Sequence, residues 1–500
     1  MRRSLAALLI AAAFAVPVCA QHLRFGLAED PDVLDPTLAR TFVGRIVFAA
    51  LCDKLFDIDE KLNIVPQLAE SYSWSPDGKA LTIKVRPGVT FHDGEKLDAA
   101  AVKYSIERHK NMQGSNRRGE LALVTTVDVV DPMTARLNLS APFSPLLAQL
   151  ADRAGMMVSP KAATAAGEKF GANPVCTGPF KFTERVAQDR IVLERYPNYW
   201  NKGQVFLDKI TYLPIVDSTV RLANLKSGQL DMIERMAPSD VAGLKSDSRF
   251  KIAKITEIGY QGITMNVGKS EQAKNNPVGK DPRVREAFEL ALDRDGIVQV
   301  VMEGEATVGN QWVAPDNPFY AKNMPIPKRD VAKAKALLQQ AGMPNPTVNL
   351  MTPTTSDAQK IAQVVQAMVK EAGFDVKIQS TEFATSLNLA DKGDFDAYVL
   401  AWSGRADPDG NIYSFAACKQ PLNYAGFCKP EIDDLLNKSR TASDLAERKK
   451  SYDQAAAVLL KDRPVVYLFH RHWLWAYNNK VSGLRTIPDG LVRVQGLKLN

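Results

Sequence analysis

The sequence predicts an α/β protein, because strand and helix patterns alternate along its second half. Short apolar or alternating stretches predict strands, whereas apolar residues at every third or fourth position predict helices. The order is strand, helix, strand, helix, strand, over residues 347–351, 361–372, 376–378, 383–390 and 395–402. Because consecutive parallel strands are joined by right-handed crossovers that are usually helical, this order predicts a parallel sheet.

The last of these strands is followed by a segment in which turn-forming and charged residues are concentrated. The residues concerned are Ser403, Gly404, Arg405, Asp407, Pro408, Asp409, Gly410 and Asn411. Ligands of open α/β sheets bind beyond the carboxyl ends of the strands. We therefore expect a ligand pocket here, formed by a long loop, with Trp402 and Arg405 beside it.

The first half of the chain mixes antiparallel strands with helices. Residues 81–85 and 190–195 alternate apolar and polar side chains, as hairpin strands do, whereas residues 102–109 and 160–166 have helical patterns. Residues 176–179 interrupt the pattern and indicate a domain boundary. A chain of 500 residues is long enough for about three domains of roughly 100 to 200 residues each.

The first twenty residues have the pattern of an export signal. Two arginines precede an apolar stretch over residues 5–16, and Cys19 and Ala20 are small residues of the kind that signal peptidase prefers. A lipoprotein signal would need a small residue directly before the cysteine, and Val18 is branched. We expect cleavage after Ala20 and a periplasmic mature chain, since no later apolar run could span a bilayer.

Composition and charge argue against nucleic acid as a partner. Apolar residues make up 45% of the chain and charged residues 24%, the balance of an ordinary globular protein. The net charge of +7 falls to +5 when Arg2 and Arg3 leave with the signal. That charge is mild and the basic residues are scattered, so we expect no nucleic-acid partner.

Four cysteines remain after the signal, an even number in a chain bound for an oxidising compartment. Cys418 and Cys428 are the favoured pair, because a bridge across about eleven residues would fix the end of the predicted loop and contribute about 3 kcal/mol. Cys52 and Cys176 would then pair by elimination. The alternative is that these two are small, buried apolar residues.

Motifs for catalysis or metal binding are weak. Residues 262–270 lack the first glycine of a phosphate-binding loop. His470 and His472 share one face of a predicted strand without a third metal ligand nearby, so we expect His470 in the pocket wall and His472 in a structural role. Asp407 and Asp409 lack the later glutamate of a calcium loop. The sequence therefore predicts no catalytic residue, no metal and no cofactor.

Several segments resemble the peptide-binding group, family 5, of the solute-binding proteins of ABC transporters. They are PDVLDP (31–36), residues 68–94, CTGPFKF (176–182), VREAFELALDR (284–294), WSGRADPDGNIY (402–413) and RPVVYLFHR (463–471). No single segment is specific, but their order and spacing together are. The resemblance covers essentially the whole mature chain.

This resemblance implies the two-lobed periplasmic-binding-protein fold, class II type, with an extra inserted α+β domain. Lobe I would comprise residues 21–62, 180–274 and 478–500, the inserted domain residues 63–179, and lobe II residues 275–477. Lobe II is where the order of strands and helices independently predicts the parallel sheet.

The resemblance also implies a set of ligand-binding residues. They are Tyr260, Gln261, Trp402, Ser403, Gly404, Arg405, Asp407 and His470. Dipeptide- and oligopeptide-binding relatives hold the ligand's amino terminus with an Asp at the position of Arg405. The relatives that bind dipeptides hold the carboxylate with an Arg, which this chain lacks near Thr354 and Thr355.

A guanidinium prefers bidentate pairing with a carboxylate, so we predict that Arg405 holds an acidic group of the ligand. The alternatives are that Arg405 faces solvent, that it pairs with Asp407, or that Asp407 takes over the binding of an amine.

The predicted function is a monomeric receptor that captures a peptide or peptide-like solute and delivers it to an inner-membrane ABC permease. No chemistry on the ligand is expected. One alternative is a binding protein for an anionic non-peptide solute, such as an opine, a glutathione-like compound or a metal chelate. Others are a receptor that presents its ligand to a chemosensor and, less favoured because no triad-like setting surrounds the five histidines, a secreted hydrolase.

Overall fold

The computed structural model describes residues 21–500, so the predicted export signal lies outside the described residues. Across this range, no helix combines the length and the apolar character that a membrane crossing requires.

The strands are numbered in chain order. They are β1 (His22–Leu27), β2 (Phe56–Ile58), β3 (Ile64–Pro66), β4 (Ala69–Trp74), β5 (Ala80–Val85), β6 (Val124–Asp131), β7 (Thr134–Leu139), β8 (Phe180–Val186), β9 (Arg190–Arg195), β10 (Lys209–Pro214), β11 (Met232–Ile233), β12 (Phe250–Thr256), β13 (Tyr260–Met265), β14 (Ala306–Val308), β15 (Thr347–Pro353), β16 (Asp375–Thr381), β17 (Ala397–Trp402), β18 (Val465–Asn478), β19 (Val481–Ser482) and β20 (Lys498–Leu499).

The α-helices are numbered in the same way. They are α1 (Phe42–Leu51), α2 (Ala99–Asn111), α3 (Leu146–Leu150), α4 (Pro160–Ala166), α5 (Ser218–Lys226), α6 (Val241–Lys245), α7 (Pro277–Lys280), α8 (Pro282–Leu290), α9 (Arg294–Met302), α10 (Val331–Gln340), α11 (Ser356–Lys370), α12 (Phe383–Lys392), α13 (Asp409–Ala416), α14 (Pro430–Thr441) and α15 (Leu445–Asp462).

The predicted two-lobed fold with an inserted domain is confirmed. A continuous sheet with the order β16-β15-β17-β13-β18-β11-β1-β10-β9-β8 runs through both lobes. The inserted domain has its own antiparallel sheet, β4-β5-β7-β6, with α2 packed against β6 and β7. Separate apolar cores form under lobe I, lobe II and the inserted domain.

The predicted parallel sheet lies in lobe II. β15 pairs in parallel with both β16 and β17, and α11 crosses over from β15 to β16. The apolar face of α11 buries Ile361, Val365 and Val369 in the core of this lobe. The alternation of helical and strand periodicity in the sequence therefore identified these elements correctly.

The long strand β18 joins the two lobes. Its first part pairs with β13 and contributes Val466 and Leu468 to the core of lobe II. Its last part pairs with β12 and contributes Trp473 and Trp475 to the core of lobe I. The sheet is continuous because one strand belongs to both cores.

This pairing shifts the lobe limits that the resemblance implied. Ile263 and Met265 of β13 lie in the core of lobe II, so the chain enters lobe II at residues 257–259 and not near residue 274. It returns to lobe I within β18 rather than after residue 477. The core of the inserted domain already includes Leu55, so this domain begins before residue 63.

The segment after β17 is not a loop throughout, as the sequence led us to expect. Residues 409–416 form α13, which Pro408 precedes. The amide of Asp409 donates to Asp407 Oδ1 at 2.9 Å. Asp and Pro favour turns, but they also favour the first turn of a helix, and here the helix is formed.

Both predicted disulfides are present in the structure. Cys418 and Cys428 are 10 residues apart and close the segment that follows α13. Cys52 and Cys176 are 124 residues apart, so this bridge joins the end of α1 to the end of the inserted domain.

We expect the two disulfides to stabilise the protein to different degrees. A disulfide lowers the entropy of the unfolded chain, and this reduction grows with the logarithm of the length of the loop that the bridge closes. The double variant Cys418→Ala/Cys428→Ala should lose about 3 kcal/mol of unfolding free energy, and Cys52→Ala/Cys176→Ala about 5 kcal/mol. Urea unfolding of both variants measures the difference. Equal losses would contradict this explanation.

Candidate ligand-binding site

A cavity of about 200 Å³ lies where lobe I, lobe II and the inserted domain meet. Parallel strands of both lobes point their carboxyl ends at it. Ala28 follows β1, Val216 follows β10, and Pro353 and Trp402 end β15 and β17, and all four residues line the cavity. The cavity therefore lies where the sequence predicted a ligand pocket, beyond the ends of the strands.

Four of the eight predicted ligand-binding residues line this cavity. They are Gln261, Trp402, Ser403 and Arg405. The other four, Tyr260, Gly404, Asp407 and His470, lie behind the cavity wall or away from it. Their surroundings indicate different roles.

Trp402 is held in the wall by polar and aromatic contacts. Its indole nitrogen donates to Asn411 Oδ1 at 3.0 Å, and its ring lies 4.7 Å from that of Phe415. The guanidinium of Arg405 lies 4.5 Å from the centre of the Trp402 ring. This cation–π contact orients both side chains at the edge of the cavity.

Gly404 allows the segment after β17 to touch the crossover between the lobes. Its φ of +81° is in the left-handed region, and a Cβ there would lie 2.4 Å from the carbonyl carbon of Ile258. A Cβ on Gly259 would lie 1.7 Å from the Trp402 carbonyl oxygen. Both positions therefore require glycine for close packing of backbone on backbone.

Arg405 lies at the junction of three parts of the protein. Its Nε lies 3.1 Å from Asp152 Oδ2, and Arg45 Nη2 donates to the same oxygen at 2.5 Å. All three side chains are at most 5% exposed. Arg45 belongs to lobe I, Asp152 to the inserted domain and Arg405 to lobe II, so we call this group the Asp152 bridge.

The two neighbouring arginines keep the carboxyl group of Asp152 ionised. Burial alone would raise the pKa of Asp152, but Arg405 and Arg45 hold it well below its usual value. Burial also lowers the pKa of Arg405, to about 10, with Asp152 opposing the shift. At neutral pH the bridge therefore consists of one carboxylate between two guanidinium groups.

Asp407 does not pair with Arg405, contrary to one alternative raised from the sequence. It accepts two hydrogen bonds from Arg448 of α15, at 2.9 and 2.7 Å. A doubly paired carboxylate that does not line the cavity is poorly placed to bind an amine. Asp407 instead ties the segment after β17 to α15.

Tyr260 and His470 support the wall from behind. The ring of Tyr260 lies 4.8 Å from that of Tyr467 in an apolar cluster. His470 is fully buried, and its Nδ1 lies 2.5 Å from the carbonyl oxygen of Gly259. Burial lowers the pKa of His470 to about 4, so the ring is neutral at pH 7.

The expectation that His470 forms part of the wall is therefore corrected, because its neighbour Arg471 lines the cavity instead. His472, the residue after Arg471, has its Nδ1 3.1 Å from Glu305 Oε2. Successive side chains of a strand point to opposite faces, so Arg471 points away from both histidines.

Most of the charged residues of the wall were not found from the sequence. The arginines that line the cavity are Arg40, Arg117, Arg153, Arg221, Arg235, Arg405, Arg440 and Arg471, and the carboxylates are Glu29, Glu120, Glu257, Asp357 and Asp409. They come from segments far apart in the chain, and a single arginine has no surrounding motif. Arg405, Asp409 and Arg471 lie within segments that the resemblance singled out, but only Arg405 was predicted to bind the ligand.

One part of the wall carries an excess of positive charge. We define the arginine corner as Arg45, Arg117, Arg153 and Arg405 with the carboxylates of Asp152 and Glu120, of which all but Arg45 and Asp152 line the cavity. Four cations and two anions leave an excess of two positive charges. Burial and the neighbouring Arg117 hold the pKa of Arg153 well below its usual value.

The lobes are in contact across the mouth of the cavity. Arg40 of lobe I donates to Asp391 at 3.0 Å and to Asn388 at 3.2 Å, both in α12 of lobe II. Together with the Asp152 bridge, these contacts enclose the cavity. Two lobes closed over a pocket, joined by crossover strands, define a receptor that captures a small solute.

The model of the family described as bacterial extracellular solute-binding proteins, family 5, matches residues 63–423. This chain belongs to that family, and it is the solute-binding component of an ABC importer, as the sequence predicted.

Relatives and solved structures agree with this assignment. The glutathione-binding protein GsiB of Pectobacterium atrosepticum is 31% identical over 474 residues, which cover 92% of this chain and 90% of the relative. The binding protein AgaA of A. tumefaciens R10, solved with agropinic acid, is 28% identical with a TM-score of 0.86, covering 96% of this chain and 99% of AgaA. DppA of Helicobacter pylori, solved with the peptide STSA, is 26% identical with a TM-score of 0.88, covering 96% and 98%.

We expect Asp152→Ala to destabilise the protein strongly, because it leaves Arg45 and Arg405 buried without their shared counter-ion. Removal of one partner of a buried ion pair costs about 3 to 5 kcal/mol of unfolding free energy. Urea unfolding is the measurement.

The matched control is Asp189→Ala, which removes an exposed carboxylate paired with Arg190 and should leave the unfolding midpoint nearly unchanged. If Asp152→Ala is as stable as this control, the Asp152 bridge does not hold the three parts together.

Proposed function

We propose that this protein captures a small anionic, peptide-like solute in the cavity and delivers it to an ABC permease. The excess of positive charge in the arginine corner carries this proposal. A buried excess of charge is costly unless an opposite charge compensates it. A ligand carboxylate or other acidic group would supply that charge and accept guanidinium hydrogen bonds.

The dimensions of the cavity support a small ligand. Its volume of about 200 Å³ is below the roughly 300 to 1,000 Å³ that is usual for small-molecule pockets. A ligand of about the size of a dipeptide fits this volume better than a long peptide does. Two relatives support a negatively charged ligand. GsiB is named for glutathione and AgaA was solved with agropinic acid, and both compounds are acids.

Closure of the lobes would couple binding to delivery. A solute that contacts both lobes has a higher affinity for the closed state and therefore shifts the population towards it. Arg405 and Trp402 of lobe II and Arg153 of the inserted domain would contact the solute together only in the closed state. The permease would then recognise the closed, loaded monomer after export and cleavage of the signal at Ala20.

The first experiment identifies the solute directly. The exported protein is purified without added ligand and denatured, and the released small molecules are identified by mass spectrometry. We expect an acidic compound. Loss of uptake of that compound in a strain lacking the protein would support import rather than presentation to a chemosensor.

We expect glutathione, used as a defined anionic probe, to bind with measurable heat in calorimetry. Arg153→Gln should weaken its binding by about 2 to 5 kcal/mol, because it removes a buried charge of the arginine corner. The matched control, Arg136→Gln, changes an exposed arginine of the inserted domain and should not alter the affinity. Tighter binding of the cationic peptide Lys-Lys than of any acid would contradict the proposal.

A further inference from the structure

The cavity wall contains a second charged group, whose net charge is opposite to that of the arginine corner. We define the Asp357 group as Arg221, Arg235 and Arg471 with Glu29, Glu234, Glu257 and Asp357. All of these residues except Glu234 line the cavity. Three cations and four carboxylates leave an excess of one negative charge when all four carboxylates are ionised; burial raises the pKa of Glu257, and Arg471 opposes that shift.

The two charged groups are separate. Within residues 21–500, no hydrogen bond or ion pair joins a member of the Asp357 group to a member of the arginine corner. The Asp357 group comes from lobe I, α11 and β18, whereas the arginine corner comes from α1, the inserted domain and the segment after β17. The wall is therefore positive on one part and negative on another.

Asp357 is the least neutralised carboxylate of its group. Arg235 lies 2.7 Å from Glu29 and 3.0 Å from Glu234, and Arg471 lies 3.5 Å from Glu257. The nearest cationic nitrogen to Asp357 is that of Arg471, at 3.8 Å. The Asp357 side chain keeps 29% of its surface exposed, so an incoming cation can reach it.

In the arginine corner, guanidinium nitrogens remain available to a ligand. Arg153 and Arg405 are 2% and 5% exposed, and both line the cavity. Arg153 uses Nη1 for the carbonyl of Ala39, and Arg405 uses Nη1 for that of Gly404. Among the described residues, neither Nη2 has a hydrogen-bond partner. Each Nη2 can therefore donate to a ligand oxygen in the cavity.

We propose that the ligand is a dipolar acid whose ammonium group binds at Asp357 and whose two acidic groups bind in the arginine corner. A dipeptide with a carboxyl-terminal Asp or Glu has an ammonium group at one end and two carboxylates at the other, with a net charge of −1. The proposal rests on the proposed function and adds the class and the orientation of the solute.

Each excess charge excludes a different class of competitor. An acid without an amine leaves the excess negative charge at Asp357 uncompensated. A dipeptide with a neutral carboxyl-terminal side chain leaves one positive charge of the arginine corner unpaired. Unpaired buried charges are an effective basis for discrimination between ligands of similar size.

The test compares two probes, L-alanyl-L-glutamate and its N-acetyl derivative, by calorimetry on the full protein. Acetylation removes only the positive charge. We expect it to weaken binding to the wild type about tenfold, which lies between the small effect of an exposed charge pair and the larger effect of a buried one. Asp357→Asn should weaken the binding of the unacetylated dipeptide by a similar factor. In this variant acetylation should no longer change the affinity.

Two further variants show whether this effect belongs to Asp357. Arg153→Gln should weaken the binding of both probes by the same factor. The effect of acetylation should stay unchanged, because Arg153 belongs to the arginine corner and not to the Asp357 group. The control Asp375→Asn, which alters an exposed carboxylate paired with Lys377, should behave as the wild type.

Three results would overturn the proposed orientation: equal binding of both probes to the wild type, an acetylation effect that persists in Asp357→Asn, or no binding of the free dipeptide. If glutathione binds and depends on Arg153 while alanyl-glutamate does not bind, the proposed function stands and only the orientation fails. If no acidic probe binds, the proposed function itself fails.

Discussion

One buried carboxylate, that of Asp152, connects the three parts of this protein. It lies between Arg45 of lobe I and Arg405 of lobe II, and it belongs to the inserted domain itself. Buried ions are stable only when their partners are in place, so the bridge requires a specific closed arrangement. That arrangement also places the Arg405 guanidinium over Trp402, at the edge of the cavity.

The crossover between the lobes lies directly behind the cavity. Gly259 and Gly404 bring the crossover and the segment after β17 into backbone contact, and neutral His470 binds the Gly259 carbonyl. Glu257 lies in the same crossover and accepts hydrogen bonds from the Gln261 side chain and from the Arg471 amide, so the crossover is in contact with the wall. An ammonium group bound at Asp357, as proposed, would lie beside Arg471 and so close to this crossover.

Under the proposed function, the charges of the wall would make the enclosed cavity selective. Water is largely excluded when the lobes close, and the interactions between charges become stronger in a medium of lower polarity. A solute that matches both charged groups gains from closure, whereas one that matches only one group leaves a buried charge unpaired. Under the proposed function, charge would therefore affect both the choice of ligand and the equilibrium between open and closed states.

The sequence by itself determined the features that depend on local patterns. The periodicity of lobe II predicted β15, α11, β16, α12 and β17 because burial of one face imposes a repeat that neighbouring residues share. The order of motifs predicted the family, and the position of the strand ends predicted where the cavity would lie. The short spacing of Cys418 and Cys428 predicted their bridge, whereas Cys52 and Cys176 were paired only by elimination, with two small buried residues as the alternative.

Only the tertiary structure decided which charges meet. Arg405 was identified from the sequence, but its partner Asp152 lies in another domain, and Asp407 is paired with Arg448 of α15. The arginine corner and the Asp357 group each combine segments that are distant in the chain. An ion pair depends on which segments the fold brings together, and a single charged residue leaves no periodic signal in the sequence.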